Sequence, residues 1–146
     1  MASRSQKRNR KGEPFSVRFS ASTDRTVEEE ARRTRRSKSA VVEALTEEAV
    51  RTRRFPGIGF RGDDARRRPW VIGTGLDVWE TVQMFEDFGS LEGLVADTQL
   101  SERDVRLALA YRDAYPEEIA NAIAENRRDP SDLHELYPFI ELPATA

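Results

Sequence analysis

The chain has 146 residues and no cysteine, so disulfides and thiolate metal sites are excluded, and the length allows one domain or two small ones. Its formal net charge of −2 conceals an uneven distribution: residues 1–54 carry a net +7, residues 55–69 a net +2 and residues 70–146 a net −11. The first part therefore suits a polyanion, and the last part suits a neutral or basic partner.

Residues 1–12 form a polar segment rich in lysine and arginine, with Met1 as its only large apolar side chain. Such a composition predicts a disordered basic arm. Alongside DNA the arm would lie on phosphates, adding affinity without sequence information, and Arg8, Arg10 and Lys11 are its candidate contacts. The alternative is a tail that only aids solubility.

Residues 15–20 read FSVRFS, with apolar and polar side chains in strict alternation, which is the period of a half-buried strand. A single short strand needs a partner for its backbone N–H and C=O groups. The following fifty residues offer no second strand of comparable quality, so the simplest partner is the same segment of a second copy. The alternative is an edge strand of a larger sheet, with Arg18 merely solvated.

Two helices are predicted after this strand. The first runs from Thr23 or Asp24 to Arg35, with Asp24 as its cap and glutamates in its first half. The second starts at Ser37, which can cap it, and runs to about Arg53. Its apolar face consists of Val41, Val42, Leu45 and Ala49.

A strand followed by two such helices resembles the ribbon-helix-helix DNA-binding proteins over residues 13–54. The resemblance implies a dimer whose paired strands enter the major groove, with the second helix starting at a phosphate. Between the helices this family often has glycine, where the present chain has Arg35 and Arg36. The resemblance also assigns roles to individual residues. It implies base contacts by Ser16, Arg18 and Ser20 and phosphate contacts by Ser37, Lys38 and Ser39. It implies a dimer core that consists of Phe15, Val17, Phe19, Val42 and Leu45.

Residues 55–69 are predicted as a linker that contains the first strand of a hairpin, pairing residues 58–61 with residues 68–72. Residues 70–128 then form an acidic domain of short helices. Asp77, Ser90 and Ser101 are predicted caps, Gly89 ends the first of these helices, and another begins at Pro116. Helices with joins this short predict a helix-turn-helix unit.

Several short motifs between residues 56 and 119, among them PGI at 56–58 and YPEEI at 115–119, carry a second resemblance. They resemble a small helix-turn-helix domain found in VapB-type antitoxins. That resemblance implies a toxin partner with a PIN-like ribonuclease fold. DNA binding by this domain is disfavoured because Glu102 and Asp104 start the candidate recognition helix, although its three arginines leave that alternative open. These are Arg103, Arg106 and Arg112.

Residues 129–146 combine large apolar side chains with three prolines, which is too apolar for a free tail and too proline-rich for a long helix. The segment either binds a partner or packs on its own domain. In related antitoxins an arginine often enters the acidic centre of the toxin. The candidate toxin-binding residues are Arg127, Arg128, Leu136, Tyr137, Phe139 and Ile140.

An enzyme is not expected, because His134 is the only histidine and no nucleophile motif, metal-ligand spacing or cofactor motif is present. No apolar run approaches the roughly 18 residues of a membrane span. The absence of cysteine is compatible with the cytoplasmic location that we expect. The sequence therefore predicts a mainly α protein, with an intermolecular ribbon, two helices, a small hairpin and helix-turn-helix domain, and a tail. The expected function is that of an antitoxin that represses its own operon; a stand-alone transcription factor and an architectural DNA-coating protein are the alternatives.

Overall fold

A computed structural model describes residues 12–64 and 66–127 of the chain. Within these ranges the protein is mainly helical, with one antiparallel two-stranded sheet. The helices are α1 (Ala21–Thr34), α2 (Lys38–Arg54), α3 (Val78–Phe88), α4 (Leu91–Asp97), α5 (Glu102–Ala114) and α6 (Pro116–Asn126), and the strands are β1 (Ile58–Arg61) and β2 (Arg68–Val71). The coarse prediction of a mainly α fold is confirmed.

The chain divides into two compact units, one up to Val42 and one from Glu43 on. The division falls inside α2, before the predicted domain end at Arg54. The first unit contains α1 and the start of α2, with Val27 and Val41 as its buried side chains. The second contains the rest of α2, the hairpin and α3 to α6.

Helix α1 begins at Ala21, earlier than the sequence pattern predicts, because Ser20 rather than Asp24 is its N-cap. The Ser20 hydroxyl accepts a hydrogen bond from the backbone N–H of Thr23 at 3.3 Å. A capping side chain satisfies one of the N–H groups that a helix start leaves without an internal partner. Asp24 instead lies in the first turn, where a negative charge is favourable.

The turn between α1 and α2 is left-handed although it contains no glycine. Arg35 has φ 54° and ψ 37°, and its N–H bonds to carbonyl groups of the last turn of α1. The N–H of Arg36 reaches back to the carbonyl of Ala31 at 3.1 Å, which closes the helix end. Ser37 then caps α2 as predicted, its hydroxyl accepting from the N–H of Ala40 at 3.1 Å.

The predicted hairpin is confirmed, with Ile58 opposite Val71 and Arg61 opposite Arg68. Gly57, just before β1, has φ 106°, and a Cβ atom at this position would lie 2.7 Å from Leu107 Cδ2. The entry to the hairpin therefore requires glycine both for its backbone conformation and for the close approach of α5.

Among the described residues of the second unit, the buried apolar side chains form two clusters. The first joins the hairpin to α3, α5 and α6, and its fully covered side chains are Ile58, Val71, Val78, Val82, Ala108, Tyr111 and Ile119. The second lies among α3, α4 and α5 around Leu94, Leu100 and Val105. The short helices α4 and α5 are joined by residues 98–101, which is the spacing of a helix-turn-helix.

The predicted caps of this unit are found in place. Asp77 precedes α3, and Glu80 accepts a hydrogen bond from its N–H at 2.7 Å. Gly89 ends α3 with φ 74°, and Ser90 caps α4. Ser101 caps α5 as predicted, and together with Asp104 it forms a capping box.

Candidate nucleic-acid interface

Residues 13–20 belong to no helix or strand and lead directly into α1. Phe15 and Val17, which the alternation places on one side, are 85% and 56% exposed, and Phe19 is half-buried. Within the described part of the chain, β1 and β2 pair with each other, and Trp70 of β2 also forms a bridge with Asp77. No backbone hydrogen bond in these ranges joins residues 13–19 to another segment. The segment thus presents an uncovered apolar side and an unpaired backbone.

The three side chains predicted to face DNA differ in their surroundings. Ser16 and Arg18 are exposed, and in the described ranges Arg18 has neither an ion pair nor a side-chain hydrogen bond. The hydroxyl of Ser20 is engaged in capping α1 and also donates to Thr23 Oγ1 at 3.0 Å. Of the three predicted base-contacting residues, Arg18 is therefore the longest side chain that no other described group holds. Its planar guanidinium has several donors, which suit the O6 and N7 atoms of guanine.

The predicted phosphate contacts at the start of α2 are also not equivalent. Ser37 is the N-cap, and Ser39 is exposed. Lys38 Nζ pairs with the carboxylate of Asp24 and lies 3.6 Å from Glu28 Oε1. The hydrogen bond to Asp24 raises the pKa of Lys38 above its ordinary value, more than the small loss of hydration lowers it. Its charge is thus already matched within the protein.

Other cations near the turn have no such partner. Arg32, Arg35 and Arg36 are exposed, and in the described ranges none has an ion pair or side-chain hydrogen bond. Arg33, by contrast, pairs with Glu30 of the same helix. The sequence predicts phosphate contacts at the start of α2 and does not single out these arginines for that role, because which cations stay unpaired depends on how the helices pack.

The predicted dimer core is only partly covered in the single chain. Val42 is half-buried and Leu45 is 48% exposed, while the neighbouring Val41 is buried. Val50 on the same helix is also half exposed, at 49%. Apolar side chains left this open are the kind that a second copy covers.

In the second unit, Arg51 of α2 joins a polar network that the sequence does not reveal. Its Nη1 donates to Tyr111 Oη at 2.7 Å and to Glu118 Oε2 at 2.6 Å, and its guanidinium lies 3.9 Å from the centroid of the Tyr115 ring. The Tyr111 hydroxyl donates to Glu118 Oε1 at 3.0 Å. This network fastens the end of α2 to α5 and α6.

Burial and charge shift the protonation of this network. Burial opposes the charged form of Arg51, but hydrogen bonding to Glu118 and Tyr111 outweighs it, so the pKa of Arg51 lies above its usual value. Burial and then the charge of Glu118 raise the pKa of Tyr111, although Arg51 acts in the opposite direction. The tyrosine is held neutral well into the alkaline range.

A second polar cluster surrounds the carboxylate of Asp77, which is buried at the start of α3. Arg61 Nε donates to Oδ1 at 2.9 Å, and Arg68 Nε donates to Oδ2 at 2.5 Å. Arg61 also donates to the carbonyl of Gly75 and lies 4.8 Å from the centroid of the Trp70 ring. One carboxylate thus joins both hairpin strands to α3. This structural role explains why the two arginines lie here, and it requires no bound ligand.

Arg127 is the one predicted toxin-binding residue that the structure describes, and its Nη2 donates to Asp87 Oδ1 at 3.1 Å. The others lie outside the described residues, as do the arm residues: Arg128, Leu136, Tyr137, Phe139, Ile140, Arg8, Arg10 and Lys11. Among the described residues, no three or more histidine, cysteine or carboxylate side chains group as metal ligands would. None of the helices in these ranges has the length and apolar character of a membrane span.

The chain was compared with known protein families, with curated proteins and with solved structures. None of the three comparisons gives a match.

Proposed function

We propose that this chain binds operator DNA as a homodimer and is the antitoxin of a toxin–antitoxin pair. Residues 15–20 of two copies would pair as a ribbon, with Phe15, Val17 and Phe19 against the helices and Arg18 facing the major groove. The observation that carries the proposal is the segment of residues 15–20 itself. It has the alternation of a strand, an uncovered apolar side and no strand partner in the described chain.

The two helices after this segment support the same proposal. They are joined by a tight left-handed turn, and α2 starts at a serine cap with exposed cations beside it. The net charge of +7 over residues 1–54 favours association with a polyanion. The alternative is that residues 15–20 form an edge strand of a larger sheet within one chain. It is less well supported, because the strands in the described residues, β1 and β2, form a two-stranded sheet that does not include this segment.

The antitoxin part of the proposal rests on the second unit and its resemblance to the domain of VapB-type antitoxins. On this proposal the acidic unit and the tail hold a PIN-like ribonuclease toxin, and the ribbon represses the operon that encodes both. In the helix-turn-helix, Glu102 pairs with Arg106 and Arg112 with Asp113, so two of its three arginines are already matched by carboxylates. That pairing favours a protein partner over DNA for this unit.

The base-reading claim is tested with Arg18→Ala. Binding is measured to the DNA upstream of the chain's own gene and to a random duplex of the same length. We expect the affinity for the upstream DNA to fall about tenfold or more, because a bidentate arginine–guanine contact discriminates by about 1–3 kcal/mol. The random duplex should lose much less. Equal losses on both duplexes would contradict base reading.

Arg25→Ala is the matched control, because Arg25 is exposed on α1 and, in the described ranges, has no ion-pair partner. It removes the same charge without touching the ribbon. The antitoxin role is tested separately by co-expression with the product of the adjacent gene. Co-purification of a metal-dependent ribonuclease in inactive form supports the role, and a freely active, unbound neighbour refutes it.

An architectural DNA-coating protein is the second candidate, and the capping role of Ser20 favours it. With that hydroxyl engaged, base reading rests mainly on Arg18 and the short Ser16. A protein of this class would show a steep salt dependence and no preferred site, so the comparison of upstream and random duplexes also separates the two candidates.

A further inference from the structure

Five cations lie within or beside the turn that joins α1 and α2, and they fall into two groups. Arg33 and Lys38 are matched by carboxylates of α1, namely Glu30 for the arginine and Asp24 with Glu28 for the lysine. The second group consists of Arg32, Arg35 and Arg36, which are exposed and have no carboxylate partner among the described residues.

The pairing of Lys38 has a direct cost for DNA binding. A lysine that is already neutralised releases no net counterion from DNA unless its ion pair is first broken, and the released carboxylates would then face the phosphates. Two carboxylates share this one ammonium group, and the pKa of Lys38 is raised, so the lysine stays charged and held.

The unpaired arginines have the opposite property. Arg32 lies in the last turn of α1, Arg35 is the left-handed residue that ends the helix, and Arg36 follows it directly, so the three cations lie within five residues at one helix end. Each presents a planar fork of donors, which suits phosphate oxygens better than a single ammonium group does. They carry three positive charges that nothing described in the protein offsets.

We propose that Arg32, Arg35 and Arg36 are the phosphate-binding cations of this unit, and that Asp24 and Glu28 hold Lys38 away from DNA. The proposal rests on the proposed DNA-binding function and changes its assignment of contacts. Lys38 is a masked site: loss of the two α1 carboxylates converts it into an additional phosphate contact. Asp24 and Glu28 therefore limit the affinity of the free protein for duplex DNA.

The test measures binding of the full chain to a random duplex over a series of salt concentrations. Arg36→Gln should lower the slope of log K against log salt by about 2 for a dimer, since each phosphate contact contributes about 0.9. Lys38→Gln should leave the slope unchanged. Arg103→Gln is the matched control, because Arg103 is an exposed arginine of the acidic helix-turn-helix that has no ion-pair partner among residues 12–64 and 66–127, and it too should leave the slope unchanged.

A double-mutant cycle tests the masking. Asp24→Asn with Glu28→Gln should raise the slope by about 2 and strengthen binding at low salt, by adding one contact per protomer. The same pair of substitutions in a Lys38→Gln background should give no such rise in slope. Circular dichroism and thermal unfolding of each variant verify that the fold is retained, and Arg32→Gln provides a second arginine variant.

Several outcomes would overturn the inference. They are a loss of slope in Lys38→Gln as large as that in Arg36→Gln, an unchanged slope in both arginine variants, or a gain from the carboxylate substitutions that persists without Lys38. Wild-type protein that binds no duplex at low salt contradicts the proposed function instead. The two failures are therefore distinguishable in one set of titrations.

Discussion

Arg35 occupies a backbone conformation that glycine adopts at least cost. Its φ of 54° places Cβ against the neighbouring carbonyl, which costs an L-residue on the order of 1 kcal/mol. This chain has two arginines at the turn where ribbon-helix-helix proteins often have glycine. The structure shows that Arg35 takes the left-handed position. An exposed cation is retained there at some cost in stability.

Arg35→Gly is therefore expected to increase the free energy of unfolding by up to about 1 kcal/mol, measured by denaturant titration. Arg36→Gly is the matched control, since among the described non-glycine residues Arg35 alone has positive φ. It should destabilise the protein slightly. If both variants lose stability equally, the left-handed strain at Arg35 is not significant.

Tyr111 gives a second prediction at the residue scale. Because burial and Glu118 raise its pKa in the folded protein, the unfolded chain loses this proton first, near pH 10. Between that pH and the higher folded pKa the unfolded state binds fewer protons, so stability falls as pH rises. Stability from this group is complete below pH 10.

The measurement is a tyrosinate absorbance titration of the native protein, in parallel with denaturant unfolding above pH 9. Wild type should show one tyrosine that ionises late, together with the alkaline loss of stability. Tyr111→Phe should remove the late ionisation and flatten the pH dependence. A late ionisation that survives in Tyr111→Phe would assign it to another tyrosine.

At the scale of elements, the carboxyl-terminal part of α2 is fixed by Arg51 rather than by apolar packing alone. The side chain of Arg51 is only 15% exposed, and its guanidinium contacts Glu47, Glu118 and Tyr111. Removing one partner of such a network leaves the remaining polar groups without hydrogen bonds in a partly buried site, which costs about 1–3 kcal/mol.

Arg51→Met should accordingly destabilise the protein by about 1–3 kcal/mol in urea unfolding, while keeping the helix and most of the side-chain volume. Arg53→Met is the matched control: Arg53 is exposed two residues later and has no ion-pair partner in the described ranges. It should change stability little. Equal stability of the two variants would show that the network makes no net contribution to the free energy of unfolding.

Most helix ends were predictable because their signals are local. Ser37, Ser90 and Ser101 cap the helices that follow them, and Gly89 ends α3. The exception is α1, where Ser20 and Asp24 are both good caps within one turn of each other. The alternation over residues 15–20 suggested that Ser20 was part of the strand, whereas its hydroxyl serves the helix.

At the scale of the whole molecule, the uncovered side of residues 15–20 predicts self-association. In sedimentation velocity at micromolar concentration, the wild-type chain should behave as a dimer. Val17→Asp places a carboxylate on the apolar side of the ribbon and should yield monomers, since an unpaired charge cannot be buried cheaply. A wild-type protein that stays monomeric across the concentration range would refute the ribbon.

Ser16→Asp is the matched control for this experiment. It introduces the same carboxylate one residue earlier, on the opposite side of the strand. The variant should therefore remain dimeric while losing affinity for DNA, because the new charge faces the phosphates. Loss of the dimer in both variants would mean that strand alternation does not decide which side is buried.

The charge of the chain is unevenly distributed over its length. The net +7 of residues 1–54 and the net −11 of residues 70–146 follow from composition alone and do not depend on the fold. Folding decides which of these charges remain available. Asp77 forms ion pairs with Arg61 and Arg68, and Lys38 forms one with Asp24. Arg32 and Arg36, by contrast, remain unpaired in the described chain.

The order, type and approximate ends of the helices and of the hairpin follow from local patterns in the chain, because alternation, helical periodicity and capping act over a few residues. The partners of the charged side chains follow from the packing of these elements instead. Lys38 meets Asp24 across 14 residues, Arg61 meets Asp77 across 16, and Arg51 meets Tyr111 across 60. Such pairs depend on how the elements pack, which no local pattern encodes.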